Sequence, residues 1–233
     1  FDEFHAKYPH IPIGCSEYGC EALNWHTSHP KQGDYTEEYQ AYYHEELIKQ
    51  LFSRKYLWAT HVWNMFDFAA DARDEGGVRG RNNKGLVTMD RKTKKDSYYI
   101  YKAYWTTKPF VHIASKRYYY RAEKTTTIKV YSNCNEITLY VNGKKFATQE
   151  GSKVFTFEVP LRPFFATRVT AVCGEVTDEA EFKYVKKPYA GYVLQTEAKV
   201  DNWFDKNNEF DFKFPEGYFS IKDKLNDIMA TEE

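Results

Sequence analysis

The sequence predicts a two-part molecule, an α/β portion over residues 1–109 and an all-β, immunoglobulin-like sandwich over 110–185, with a tail over 186–233. Three observations carry this. Apolar runs at Ile11–Gly19 and Leu57–Phe66 flank a stretch with helical periodicity. From Phe110 the apolar residues recur at every second position. Lys108-Pro109 stands where one pattern gives way to the other.

Residues 1–10 read as the end of a helix or a loop leading into the first strand, because Pro9 and Pro12 cannot continue a helix. Cys20–Gly33 lacks any regular period and holds His26, His29 and Trp25, so it reads as a loop over the strand ends. Asp34, with Glu37 three residues on, predicts a capped helix start. Tyr39, Tyr43, Leu47 and Leu51, with Ile48 and Phe52, then mark one apolar face through about Arg54. Strand, helix and strand in this order make a β-α-β unit with two buried parallel strands, whose chemistry belongs at the strands' carboxyl ends. Glu17 lies at one such end and Trp63–Asp67 at the other.

Ala69–Lys84, rich in Gly, Arg, Asp and Asn, reads as a long loop. The basic run Arg91–Lys95 reads as a solvated face or helix entry ahead of a helix over about Asp96–Trp105. Beyond the boundary, Ile128 and Val130, then Ile137, Leu139 and Val141, then Val154, Phe155, Phe157 and Val159, then Val169 and Val172, predict about seven strands. Asn142-Gly143 between two of these runs is a hairpin turn, since both residues tolerate positive φ. In the tail, Ser220–Ala230 reads as a short helix.

Composition excludes several functions. The formal net charge is zero, so no bulk field favours nucleic acid or a membrane surface. No apolar run reaches the ~18 residues of a bilayer span, and Phe1-Asp2-Glu3-Phe4 does not open a signal peptide. Cys15, Cys20, Cys134 and Cys173 show no metal-ligand spacing and are expected as free thiols, an inter-sheet bridge between Cys134 and Cys173 being the alternative. Aromatic residues reach 18%, which suits a carbohydrate-handling surface, although aromatic-rich cores are the commoner source of such a fraction.

Three stretches have a familiar form. Ser16-Glu17-Tyr18-Gly19, Trp63-Asn64-Met65-Phe66-Asp67-Phe68 and Arg81–Arg91 resemble, in order and spacing, the last part of the catalytic barrel of glycoside hydrolase family 2, which includes β-galactosidases and β-glucuronidases. The resemblance covers residues 1 to about 109. It implies that the two strands are the seventh and eighth of a (β/α)8 barrel and that 110–185 is the sandwich that follows it. It also implies a retaining mechanism with Glu17 as nucleophile, and Trp63 as the aromatic floor beneath the sugar.

Asn82 and Lys84 match an Asn-x-Lys pair that binds the sugar carboxylate in β-glucuronidases. The following Lys84–Asp96 run resembles β-galactosidases with similar residues, so the pair is assigned to substrate binding without deciding the sugar. Some β-galactosidases of the family carry a His three residues after the nucleophile, where this chain has Cys20. His26, His29 and His61 are further candidates for the pocket. The family's acid/base Glu follows an Asn, and no Asn-Glu pair precedes Glu17; Asn135-Glu136 and Asn208-Glu209 fall in the sandwich and tail.

The expectation is therefore a C-terminal piece of a retaining β-galactosidase, acting on β-galactosides or oligosaccharides and inactive alone. The alternatives are a β-glucuronidase and a carbohydrate- or protein-binding module without catalysis. No cofactor is expected in this chain and no metal ligand is assigned, although some relatives use Mg²⁺ or Na⁺. A two-strand remnant would expose strand edges and apolar faces, so homo-oligomerisation through them is expected.

Overall fold

The computed structural model describes residues 1–27 and 35–192. His29, Asp34 and the Ser220–Ala230 stretch lie outside them. The described residues belong to one compact unit running from Phe1 to Ala198. Its first portion contains α1 (Asp2–Lys7), β1 (Ile13–Tyr18), α2 (Glu37–Ser53), β2 (Leu57–Val62), β3 (Phe68–Glu75), β4 (Val78–Asn82) and α3 (Asp96–Trp105). β1 and β2 pair in parallel across the α2 crossover.

The expectation of two buried strands is not met. In β1 only Tyr18 is buried, and Trp58 of β2 is 72% exposed. The reason is that one face alone is covered. α2 and α3 lay Ala41, Ile48, Leu51, Ile100 and Tyr101 against Tyr18 and Leu86, while Gly14, Ser16, Trp58 and His61 are left exposed.

Two local expectations are corrected. The helix cap is Thr36, whose hydroxyl accepts the Tyr39 N–H at 3.1 Å. Glu37 serves elsewhere: its carboxylate accepts the Asp96 N–H at 2.7 Å and the Arg117 Nε–H at 2.6 Å. The supposed loop 69–84 is largely the β3–β4 hairpin. Its turn is Gly76-Gly77, with φ of 64° and 74°, the two positive values that a two-residue hairpin turn demands. Charged neighbours masked a glycine pair that is itself a hairpin signal.

The second portion is a β-sandwich. One sheet has the order β10 (Lys153–Pro160), β7 (Thr125–Ser132), β5 (Val111–Ile113). The other has the order β6 (Tyr120–Arg121), β12 (Val176–Tyr184), β11 (Thr167–Cys173), β8 (Glu136–Val141), β9 (Lys144–Glu150). All pairs are antiparallel except β6 with β12. Ile113, Ile128, Val130, Ile137, Leu139, Phe155, Phe157, Val159, Val169 and Phe182 fill the space between the sheets. The inward partner of Val169 is Ala171 rather than Val172, as strict alternation requires. Asn142-Gly143 forms the β8–β9 turn, both with positive φ.

Cys134 and Cys173 form a disulfide, against the expectation of free thiols. β7 and β8 belong to different sheets, and the crossing segment brings Cys134 to a Cα–Cα distance of 6.6 Å from the end of β11. Cysteine counting carries no information on that proximity. Cys15 and Cys20 remain thiols.

The two portions meet through buried charge. The Glu45 carboxylate, on α2, accepts Lys129 Nζ–H at 2.8 and 2.9 Å and the Tyr131 O–H at 2.5 Å. The Asp96 carboxylate contacts His112 Nε2 at 2.9 Å and accepts the Ser115 N–H at 2.6 Å. Tyr99 stacks on His112 with centroids 3.5 Å apart.

Two outcomes test this account. The bridge closes a 39-residue separation, so replacing Cys134 and Cys173 together by Ser should lower unfolding free energy by about 4 kcal/mol; a loss below about 1 kcal/mol in urea titrations would show the link to be dispensable. Burial, then the neighbouring Glu37 charge, pushes the Glu38 carboxyl up to about 8. A raised carboxyl favours the folded state fully below its unfolded value of 4.5 and loses that contribution as pH climbs through 8. The melting temperature should therefore fall from pH 6 to pH 8.5, and by less in Glu38→Gln; an equal fall in both would remove Glu38 as the cause.

Candidate active site

Glu17 owes its position to a break in the β1–β2 ladder. Cys15 pairs with Thr60 and Tyr18 with Val62, so Ser16 and Glu17 together oppose His61 alone. One extra residue on a strand is a bulge, which re-aims the side chain it carries. The result is asymmetric. Tyr18 turns inward and its hydroxyl accepts from the Tyr101 O–H at 3.2 Å, while Glu17 is exposed. Among the described residues, the Glu17 carboxylate makes no hydrogen bond or ion pair.

Tyr18 rests on a buried polar chain. The Tyr101 hydroxyl also lies 2.7 Å from Nδ1 of His44, which is fully buried. Burial, then the Lys95 charge, pushes the His44 imidazole down to about 3, so it is a neutral structural group.

Trp63 adjoins Glu17 across the strand ends. Its N–H donates to the Tyr18 carbonyl at 2.7 Å, and the Trp63–Asn64 peptide is cis. A Cβ on Gly19 would stand 1.9 Å from the Trp63 carbonyl oxygen, so only glycine permits the approach. The indole is 40% exposed and meets Phe68 edge-on at 5.9 Å.

Past Trp63 the backbone of 64–67 runs beside 84–87. Asn64 N–H donates to Lys84 O at 3.3 Å, Leu86 N–H to Asn64 O at 3.0 Å, Val87 N–H to Met65 O at 3.0 Å and Asp67 N–H to Val87 O at 2.9 Å. This places Asn82 and Lys84 beside the end of β2. Asn82 is buried, and its Oδ1 accepts the Lys84 N–H at 3.1 Å. Lys84 is half-buried, and its ammonium pairs with no carboxylate among the described residues.

One residue holds these segments together. Lys95 is fully buried, and its Nζ donates to the Ala22 carbonyl at 2.7 Å, Asp67 Oδ1 at 2.9 Å and the Asn83 carbonyl at 2.9 Å. The three acceptors belong to the loop after β1, the segment after β2 and the exit of β4. Asp67 Oδ1 also accepts the Gly85 N–H at 2.9 Å. Burial lowers the Lys95 ammonium below its ordinary range and raises the Asp67 carboxyl, while each charge holds the other ionised.

The sequence places Lys95 in a basic run expected as a solvated face or a helix entry; it does stand at the entry of α3, but buried. The signal available was its place directly before an apolar helix, where a charged side chain has a route inward.

The remaining candidates separate. His61 is exposed, with Nδ1 3.3 Å from the Cys15 carbonyl, and so stands beside the bulge. His26 is buried, and the Glu37 N–H donates to its carbonyl oxygen at 3.1 Å. Cys20 offers its carbonyl to Gln40 Nε2 at 3.0 Å and is half-buried. No cluster of three or more His, Cys, Asp or Glu side chains suited to a metal occurs among the described residues. Backbone bonds thus set Trp63 beside the end of β1, which carries Glu17, and the Asn82–Lys84 segment beside the end of β2.

Known proteins are similar to this chain in sequence and in fold. A β-glucuronidase of Bacteroides fragilis is 40% identical over 162 residues, which is 66% of this chain and 23% of that protein. A putative β-glucuronidase of Formosa agariphila is 38% identical over 98 residues, 40% of this chain and 12% of its own. Among solved structures, an FMN-binding β-glucuronidase from Faecalibacterium prausnitzii L2-6 matches with TM-score 0.80 and 51% identity, over 83% of this chain and 30% of that one. A putative β-galactosidase from Bacteroides fragilis matches with TM-score 0.72 and 33% identity, over 78% of this chain and 29% of that one. No family model matches. The chain thus spans under a third of the length of these relatives, each named a β-glucuronidase or a β-galactosidase, established or putative.

The Lys95 contacts generate a test. Lys95→Met would leave Asp67 buried without its ammonium partner and the Ala22 carbonyl without a donor, while the Asn83 carbonyl keeps the Ala22 N–H, and should cost about 3–5 kcal/mol in urea unfolding. Lys95→Met with Asp67→Asn should recover part of the loss. A single variant within about 1 kcal/mol of the parent would refute the tie.

Proposed function

We propose that this chain carries the nucleophile of a retaining glycoside hydrolase of family 2 and that the sugar it handles is a β-glucuronide. The observation behind the proposal is the exposed, unpaired Glu17 carboxylate presented by a bulge beside Trp63. A carboxylate needed only for structure would find a partner; one that attacks carbon needs free lone pairs and access. In this reading residues 1–109 form the end of a (β/α)8 barrel, 110–185 the immunoglobulin-like sandwich behind it, and 186–233 an extension.

The reaction would divide the work between two carboxyl groups ~5–5.5 Å apart. Glu17 bonds to the anomeric carbon as the aglycone oxygen departs with a proton from the acid. A water activated by the same second group then releases the sugar and frees Glu17. Trp63 offers its face to the apolar side of the ring. With no Asn-Glu pair ahead of Glu17, the acid/base must come from residues outside this chain, and the chain alone should not turn over ordinary glycosides.

The choice of sugar rests on Lys84 and Asn82. An ammonium without a carboxylate partner beside the strand ends suits a uronate carboxylate, and the most similar structure described above is named a β-glucuronidase. The β-galactoside reading draws on the similar β-galactosidase and on the resemblance of the Lys84–Asp96 run.

Intact-mass spectrometry after incubation with 2,4-dinitrophenyl 2-deoxy-2-fluoro-β-glucuronide tests the proposal, because such a leaving group needs little acid assistance. The chain should gain one sugar at Glu17, and Glu17→Gln none. The galactoside analogue should label more slowly, and Lys84→Ala should erase the difference. Label at another residue would sink the nucleophile assignment; faster labelling by the galactoside would transfer the specificity to galactose.

A further inference from the structure

A second cleft opens away from Glu17. It is lined by Asn24, Trp25, Arg81, Thr88, Met89, Asp90 and Thr93 and encloses about 540 Å³, within the usual ~300–1,000 Å³ of small-molecule sites. Its walls are the loop after β1, the β4 strand and the turn that Thr88 N–H closes onto Thr93 O at 2.9 Å. Arg81 directly precedes Asn82 on β4, so alternation sends the two side chains to opposite faces of the hairpin. Glu17, Trp63, Asn82 and Lys84 are not among the residues that line the cleft.

Two features mark it as built to receive something. Trp25 is 47% exposed, a large aromatic face left open where burial would be favourable, and the Arg81 guanidinium lies over its ring at 5.9 Å. The guanidinium meets no hydrogen-bond acceptor or carboxylate within pairing distance among the described residues, and its Nε–H is shielded from solvent with nothing to accept it. The two outer amino groups of the guanidinium are unbonded and open, and an incoming oxygen meets these rather than the sealed Nε–H. The cleft's carboxylate, Asp90, is engaged within its own turn: Oδ1 accepts the Thr88 hydroxyl at 2.6 Å and the Lys92 N–H at 3.1 Å.

We infer that this cleft is a second carbohydrate-recognition site, specific for an acidic sugar. A pyranose ring sets its C–H face on the Trp25 indole, its carboxylate takes the guanidinium fork of Arg81, and the Asn24 amide bonds a ring hydroxyl. A guanidinium on an aromatic platform selects a planar carboxylate over a neutral hydroxyl because two parallel N–H···O bonds form at once. The inference does not depend on Glu17 acting as a nucleophile. It would let the protein hold one unit of a uronate-containing polymer while another is processed.

Isothermal titration of the whole chain with trigalacturonate, and with its fully methyl-esterified form, tests this. The acid should bind saturably and the ester at least about tenfold more weakly. Arg81→Ala and Trp25→Ala should each weaken the acid by about tenfold or more, Arg81→Lys should restore part of the affinity, and Lys144→Ala, on the exposed β8–β9 turn, should change nothing. Equal binding of acid and ester, no saturable binding of either, or insensitivity to Trp25→Ala and Arg81→Ala in folded variants would each overturn the inference. Loss on Lys84→Ala alone would place the sugar at the glycosidase site instead. Failure here leaves the Glu17 labelling experiment unaffected, and the reverse holds too.

Discussion

The candidate site depends on one buried ammonium. Lys95 ties the loop after β1, the segment after β2 and the exit of β4 to a single point, with Asp67 as its counter-charge. Each of those segments carries or adjoins a candidate residue: Glu17 precedes Ala22, Trp63 precedes Asp67, and Asn82 and Lys84 flank Asn83. Two buried charges are a poor source of stability, because desolvation offsets most of their attraction. Their use here is geometric. Three segments with little regular structure between them are brought to one register, and Gly19 and Gly85 allow the backbones to approach where any Cβ would collide.

The helices transmit that order to the sandwich. α2 and α3 cover the inner face of β1 and β2, and they also present Glu37, Glu45 and Asp96 to Arg117, Lys129, Tyr131 and His112. The sandwich thereby becomes the foundation of the site, and its disulfide-linked core steadies the helices that position Tyr18. Tyr18 in turn is the inward anchor that leaves its neighbour Glu17 facing out.

Much of this was legible in the sequence, and the parts that were not share a cause. Periodicity located the parallel strands, both long helices and the Asn142-Gly143 turn, because those depend on local pattern. The Ser-Glu-Tyr-Gly and Trp-Asn-Met-Phe-Asp stretches drew attention to the strand ends that the structure sets side by side. What pattern missed was decided by distant partners. Glu37 looked like a capping residue but answers to Arg117, eighty positions away. Lys95 looked solvated, although its acceptors lie at Ala22 and Asp67. Cys134 and Cys173 looked unpaired until the sheet crossing brought them together. The bulge at Ser16-Glu17 is likewise a property of the ladder, visible only once Thr60 and Val62 have their partners.

The charged contacts between helices and sandwich also impose an order in time. Glu37 and Glu45 are joined to Arg117 and Lys129 across 80 and 84 positions of chain. At a synthesis rate of ~5–20 residues per second, α2 leaves the ribosome roughly 4–16 s before the partners that neutralise its inward carboxylates. During that interval the helix has acidic groups on the side it must later bury, and the first strands have only a half-made cover. The nascent α/β portion should therefore be held open and accessible to chaperones until the sandwich emerges, so that maturation of the candidate site is timed by the folding of the portion made after it.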